Sequence, residues 1–105
     1  MRFHGTWRGS FEGKRLRLYL PGYFRRSGLK QLFLYENDGM AVCAENPIEN
    51  LPVESLKFFY SVGVDKQGRF MVPAALFEAV FHGERQVLWV GLGDHFVVAP
   101  KVAAQ

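Results

Sequence analysis

The 105-residue chain has one cysteine, no apolar run of membrane-spanning length and a single acid among its first thirty residues. Each scarcity excludes something. Cys43, inside the apolar run MAVCA, has no partner for an internal disulfide, so nothing points to a stapled, secreted scaffold. It reads as a small buried hydrophobe, with a reactive thiol as the second reading. A membrane helix needs about twenty apolar residues, and no stretch approaches that. The opening MRFHGTWRGS lacks the apolar centre of a secretion signal, so a cytoplasmic protein without a membrane partner is expected. His4, His82 and His95 are scattered, without ligand spacing, and no metal site is expected. No Ser/His/Asp or Cys/His arrangement is suggested. The glycines of GLGD precede the strand-like FVVAP, where a nucleotide loop would need a helix. No catalytic residue, cofactor or small-molecule substrate is therefore expected.

What is present is core-forming and basic. Hydrophobic residues make up 49% of the chain, enough for one packed domain without staples. The formal net charge of +3 hides an asymmetry. Residues 1–30 carry eight basic residues against Glu12, or +7, while residues 31–105 carry five basic and nine acidic ones, or −4. The basic residues interleave with aromatics in a strand-like segment, a pattern that suits a polyanion; the bland reading is a solvated basic face.

The most informative stretch is VGVDKQGRFMVP, Val62 to Pro73. Val62 and Val64 alternate as in a half-buried strand, and Asp65 to Gly68 are turn residues. Arg69 to Val72 is β-prone again, with Phe70 and Val72 on one face and Arg69 and Met71 on the other. Pro73 cannot extend a ladder, and Ala74–Phe81 reads as a short helix. A stiff tip carrying Lys66 and Arg69 suits a nucleic-acid groove; an ordinary hairpin turn has much the same composition.

The stretch has an echo. Trp7 to Pro21 aligns with Phe59 to Pro73 at an offset of 52, matching Lys14 with Lys66, Arg17 with Arg69 and Pro21 with Pro73. Residues 32–44 align with 88–100 at an offset of 56, which implies a four-residue insertion in the loop FHGER. Two copies of a strand–tip–strand–helix–strand–turn–strand unit are expected, about 3–46 and 56–101, in one domain. A linker over 45–55 joins them, with a helical turn through Val53–Leu56, and a fraying tail follows Pro100. One copy alone would leave exposed edges and little core. Two copies sharing a core about a pseudo-twofold axis would bring both tips to one side. Trp7 and Trp89, alternating with apolar neighbours, read as core residues rather than base-stacking platforms.

At this point DKQGRFMVP resembles the signature hairpin of the AbrB-like, swapped-hairpin DNA-binding proteins, and its occurrence in a two-copy chain with LWVGLGD resembles the MraZ family. The resemblance covers nearly the whole chain and is specific in the second copy. It implies a mainly β fold with short helices, two tandem swapped-hairpin repeats forming a double-hairpin barrel, and a ring-like homo-oligomer. It also implies a transcriptional regulator of the division and cell-wall gene cluster, binding double-stranded DNA at the nucleoid. By position the motif falls on Asp65, Lys66, Gln67, Gly68 and Arg69; in the first copy only Lys14, Arg17 and Pro21 match. Gly13 stands where the motif has Asp, and Leu16 where it has Gly. A shifted register would bring Glu12 to the Asp position and Arg15 to the Arg position, at the cost of a bulge. The family's helix between the copies and its C-terminal helix are cut short here, so a smaller or weaker oligomer is expected. Phosphate contacts are expected from Arg15, Arg25 and Arg26, and base readout from Arg17 and Arg69. Lys14, Lys66 and Gln67 complete the expected interface, with Pro21, Asp65, Gly68 and Pro73 shaping it. An antitoxin-like DNA-binding module, or an oligomerisation or protein-interaction domain, are the alternatives.

Overall fold

A computed structural model describes residues 3–25, 28–46 and 58–101. The fold is mainly β. In chain order the elements are β1 (Thr6–Ser10), β2 (Arg17–Tyr19), α1 (Gly22–Arg25), β3 (Gln31–Asn37), β4 (Met40–Ala44), β5 (Tyr60–Gly63), β6 (Arg69–Met71), α2 (Ala74–Phe81), β7 (Gln86–Gly91) and β8 (His95–Pro100). The expected strand, tip, strand and helix from Val62 to Phe81 are present, and α2 has the expected bounds. Leu76, Phe77, Val80 and Phe81 form its buried stripe, at the spacing an amphipathic helix requires. It stops at His82, left-handed at φ 49°, whose N–H returns to the Phe77 carbonyl at 3.3 Å. The β3–β4 hairpin turns through Asp38 and Gly39, both at positive φ, the combination whose twist suits a two-residue hairpin.

Six strands form one open antiparallel sheet in the order β1-β7-β8-β4-β3-β5, and β2 and β6 pair as a separate ribbon. The outer strands pair with the far half of the chain: β1 with β7, and β5 with β3. One apolar cluster draws on both halves, with Phe3, Leu18, Phe24 and Leu34 packed alongside Phe70, Leu76, Trp89 and Phe96. The sheet's inner face buries Leu32, Leu34, Cys43, Val87, Trp89 and Val98, and the two helices and the ribbon add their apolar sides to the same core. Cys43 is fully buried, as expected, and burial raises its thiol pKa far above the ordinary value.

Several expectations need correction. The sheet is not a closed barrel: β1 and β5 are its edges, and the ribbon hydrogen-bonds to neither as a ladder. The offset between the second hairpins is 55, not 56. Leu32 and Leu34 are buried where Val87 and Trp89 are buried, while Leu88 lies on the other face. Apolar residues on both faces of β3 and β7 make a one-residue slip look equally good in sequence, although it reverses every side chain. At that offset the second segment carries three extra residues rather than four, within and just after α2, the longer of the two helices. Trp89 is in the core, but Trp7 is 40% exposed because its strand is a sheet edge. The helical turn expected at Val53–Leu56, most of the linker, Arg26 and the tail from Val102 lie outside the described residues. Among the described residues, no helix is long and apolar enough to cross a membrane.

Candidate nucleic-acid interface

The ribbon organises the candidate site. Its register sets Arg17 opposite Met71, Leu18 opposite Phe70, and Tyr19 opposite Arg69. Two further bonds lengthen it, Leu20 N–H to the Gly68 carbonyl at 2.8 Å and Val72 N–H to the Leu16 carbonyl at 2.7 Å. Strand alternation then sorts the side chains. Leu18 and Phe70 are buried against the core; half-buried Arg17 and Arg69 and exposed Tyr19 and Met71 take the other face. The two arginines expected to read bases thus share one face. The tips do not sit side by side, because antiparallel pairing sends them to opposite ends of the ribbon.

The second tip is a closed hydrogen-bond unit. Asp65 N–H donates to the Arg69 carbonyl at 2.9 Å, and Gly68 N–H to the Asp65 carbonyl at 3.0 Å. Asp65 Oδ1 accepts the backbone N–H groups of Gln67 and Arg69, both at 2.9 Å, while Oδ2 accepts Arg69 Nε at 2.7 Å. Asp65 thus braces the tip in two ways, through turn amides and through the Arg69 side chain. The Arg69 N–H, then its guanidinium and the Gln67 N–H, hold the Asp65 carboxyl below its ordinary pKa. The same bond raises the Arg69 pKa, and the guanidinium sits 5.8 Å from the Tyr19 ring centre. Gly68, at φ 80°, supplies the positive φ that the tight return demands.

The first tip solves the same problem with one residue more. Glu12 N–H donates to the Arg17 carbonyl and Arg15 N–H to the Glu12 carbonyl, both at 2.9 Å, and the Glu12 carboxylate accepts from Arg17 Nη2. The shifted register is half right. Glu12 does take the place of the motif Asp, but Arg17, not Arg15, takes the place of the motif Arg, and the extra residue is absorbed in the tip. Gly13, at φ 52°, supplies the turn. Arg17, with smaller pulls from Tyr19 and Arg69, holds the Glu12 carboxyl low. The fit is looser than in the second tip: Glu12 Oε2 and Arg17 Nε are covered without a hydrogen-bond partner. Lys14 and Arg15 are exposed, and the Arg15 carbonyl accepts Arg85 Nη2 at 2.5 Å.

A groove opens beside the second tip. Leu20, Leu29 and Val64 give it an apolar lining; Arg25, Lys30 and Lys66 bring positive charge, against the one carboxylate of Asp65. Arg25, from the end of α1, lies across Gly68: a Cβ on that glycine would come within 2.5 Å of Arg25 Nε and 2.8 Å of its Cδ. Pro21 and Pro73 accept the first helical bonds, from Phe24 N–H and Phe77 N–H, each at 2.9 Å. Lys66 and Gln67 are exposed.

Sequence reasoning did not single out Lys30, Arg85, Tyr19 or Met71. The last two were within reach, since the alternation that aims Arg69 outward aims Met71 the same way. Lys30 and Arg85 act through contacts distant in sequence. The histidines do not gather: His4 Nε2 bonds Tyr23 Oη at 2.7 Å, and His95 Nδ1 bonds Asp94 at 2.6 Å. Among the described residues no three His, Cys, Asp or Glu side chains cluster as a metal site would need. In comparison with known proteins, no family model and no curated protein matches the chain.

Proposed function

We propose that this chain is a non-enzymatic, sequence-reading regulator that binds double-stranded DNA, built from two swapped-hairpin copies in the manner of the MraZ family it resembles. One observation carries the reading: a two-stranded antiparallel ribbon is separate from the main sheet and carries Arg17 and Arg69, both half-buried, on the face turned away from the core. The major groove of B-DNA admits such a ribbon, and an arginine fork matches guanine O6 and N7. The tip acids orient the two guanidiniums, which lowers the entropy lost on docking.

The duplicated architecture has its own support. Exchanging β1–β4 for β5–β8 turns the strand order into itself read backwards, and the ribbon maps onto itself about Leu18 and Phe70. Lys14, Arg15, Arg25 and Lys66, all exposed, are suited to phosphates and would make affinity fall with salt. Arg26 belongs to the same proposal by sequence alone. Self-association into a small homo-oligomer is part of the proposal and would place several ribbons on adjacent sites.

The test is a gel shift on DNA upstream of the chain's own gene, alongside random DNA, at two salt concentrations. Arg69→Ala should weaken the specific duplex roughly tenfold to a hundredfold and random DNA much less. Arg15→Ala should weaken both and flatten the salt dependence by about one contact. Equal loss on both duplexes for Arg69→Ala would refute base reading by the ribbon. No binding at moderate salt would leave a protein-interaction domain as the better reading.

A further inference from the structure

We infer that Tyr19 and Met71 are specificity-determining residues that contact thymine methyl groups in the major groove, beside the bases met by Arg17 and Arg69. The inference rests on the DNA-binding reading above and deepens it.

Single exposed apolar side chains are ordinary on a protein surface; several gathered on one small face are not. Among the described residues the exposed large ones are Trp7, Leu92, Tyr19 at 46% and Met71 at 49%. Two of these four are on the short ribbon, on one face, 52 positions apart. Each is directly opposite an arginine of the other strand, Met71 across from Arg17 and Tyr19 across from Arg69. The surroundings select the occupant. The ribbon's two neighbouring acids, Glu12 and Asp65, are each engaged by an arginine, and Lys14 and Lys66 are exposed in the two tips. An apolar protein partner would have to bury those cations unpaired, which is costly. A polyanion that carries apolar spots among its acceptors suits both features at once. In B-DNA the major-groove edge of thymine offers such a spot, the C5 methyl group.

The two positions are not equivalent chemically. Tyr19 is a stiff ring held 5.8 Å below the Arg69 guanidinium. Met71 is an unbranched, adaptable chain that fills irregular gaps. The two ends of a bound site should therefore differ, and the preferred duplex should be an imperfect palindrome.

The experiment uses the full chain. A preferred duplex is selected from a randomised pool, and each of its thymines is then replaced singly by deoxyuridine, which removes only the methyl group. Wild type should lose roughly fourfold in affinity at one or more positions, the equivalent of about 0.8 kcal/mol for one buried carbon. Met71→Ala should erase the penalty at one such position, and Tyr19→Ala at another; Met71→Gln, which keeps chain length, should act like Met71→Ala. Thermal unfolding of the same variants verifies that they are folded. Failure to select any preferred duplex would overturn sequence reading, and this inference with it. A preferred duplex with no deoxyuridine penalty, or with penalties unchanged in every variant, would overturn this inference alone. A fall in oligomer mass in Met71→Ala with unchanged DNA preference would assign the face to contact between copies and overturn it too.

Discussion

Gly91→Ala should be among the most damaging single-methyl additions in the chain. The glycine sits where the N-terminal arm crosses β7. An added Cβ would lie 2.5 Å from His4 Cα and 2.6 Å from the Phe3 carbonyl carbon, with His4 N closer still. These are backbone atoms, so no rotamer change relieves the clash, and the arm must lift. Lifting exposes Phe3, now fully buried with its ring 4.9 Å from Phe96 and 5.2 Å from Phe24. It also breaks Phe3 N–H to the Gly93 carbonyl, Gly93 N–H to the Phe3 carbonyl, and Gly91 N–H to the Gly5 carbonyl. Truncating a buried phenylalanine costs about 3–5 kcal/mol, and three bonds surrendered to water add roughly 1–3 kcal/mol. That is a large share of the ~5–15 kcal/mol of a small domain. Thermal unfolding should fall by about 15 °C or more, at about 4–8 °C per kcal/mol for a chain of this size. Because Phe3 supports Phe24, α1 and its Arg25 should loosen, and affinity for random and specific DNA should fall together. The diagnostic is a cycle with Phe3→Ala. Both changes release the same arm, so the double variant should cost little more than the worse single one. Additive costs, or a Gly91→Ala penalty below about 1 kcal/mol, would refute the argument.

Two further outcomes follow from the tips. Gly68→Ala places a side chain at φ 80° and pushes into Arg25; the backbone term should cost about 1 kcal/mol, and the flexible Arg25 should swing away, so that non-specific DNA affinity falls in urea-titrated, folded protein. Asp65 and Glu12 have pKa values depressed below the ordinary 3.8 and 4.5, chiefly by the Arg69 N–H and by Arg17 respectively. Their stabilisation is therefore present above the ordinary carboxylate range and lost as pH falls through the lower folded values, so urea midpoints should drop below about pH 4. In Asp65→Asn/Glu12→Gln that acid limb should be shallower, and an unchanged limb would count against the brace.

The strand, tip, strand and helix from Val62 to Phe81 were legible because their signals are local, although β5 and β6 pair with different strands rather than with each other. Alternation places Phe70 and Arg69 on opposite faces, Gly68 permits the turn, and Pro73 separates strand from helix. Three other features were not legible, each for a reason beyond the local window. The offset of 55 depends on which face of β7 meets the core, and Val87, Leu88, Trp89 and Val90 are apolar on both faces. Trp7 has the composition of a core residue and is exposed because β1 has no neighbour on one side. The separation of the tips follows from the β2–β6 register, a contact between halves that no local pattern encodes. Glu12 as the partner of Arg17 belongs to neither register read from the sequence, Gly13 with Arg17 or Glu12 with Arg15, because the extra residue is absorbed inside the tip and leaves no mark in composition.

The exchange of strands between halves also removes a conflict in the sequence. Positive charge is concentrated in residues 1–30, yet the intact motif lies at 65–69, and the two seemed to nominate different copies for the same task. In the fold, α1 of the first half covers the tip of the second, with Arg25 across Gly68 and Lys30 accepting Val64 N–H through its carbonyl at 2.9 Å. The counterpart contact is built differently. Where the first half has Arg25, the second has Phe77, and its ring packs 4.9 Å from Phe11 and 5.8 Å from Phe81. α2 fills the space beside the first tip with core, whereas a groove lined by Arg25, Lys30 and Lys66 lies beside the second. One end of the ribbon is thus closed by aromatic core, and the other lies open beside Arg25, Lys30 and Lys66. Positive charge from the first half of the chain and the hydrogen-bonded turn of the second therefore meet at a single tip.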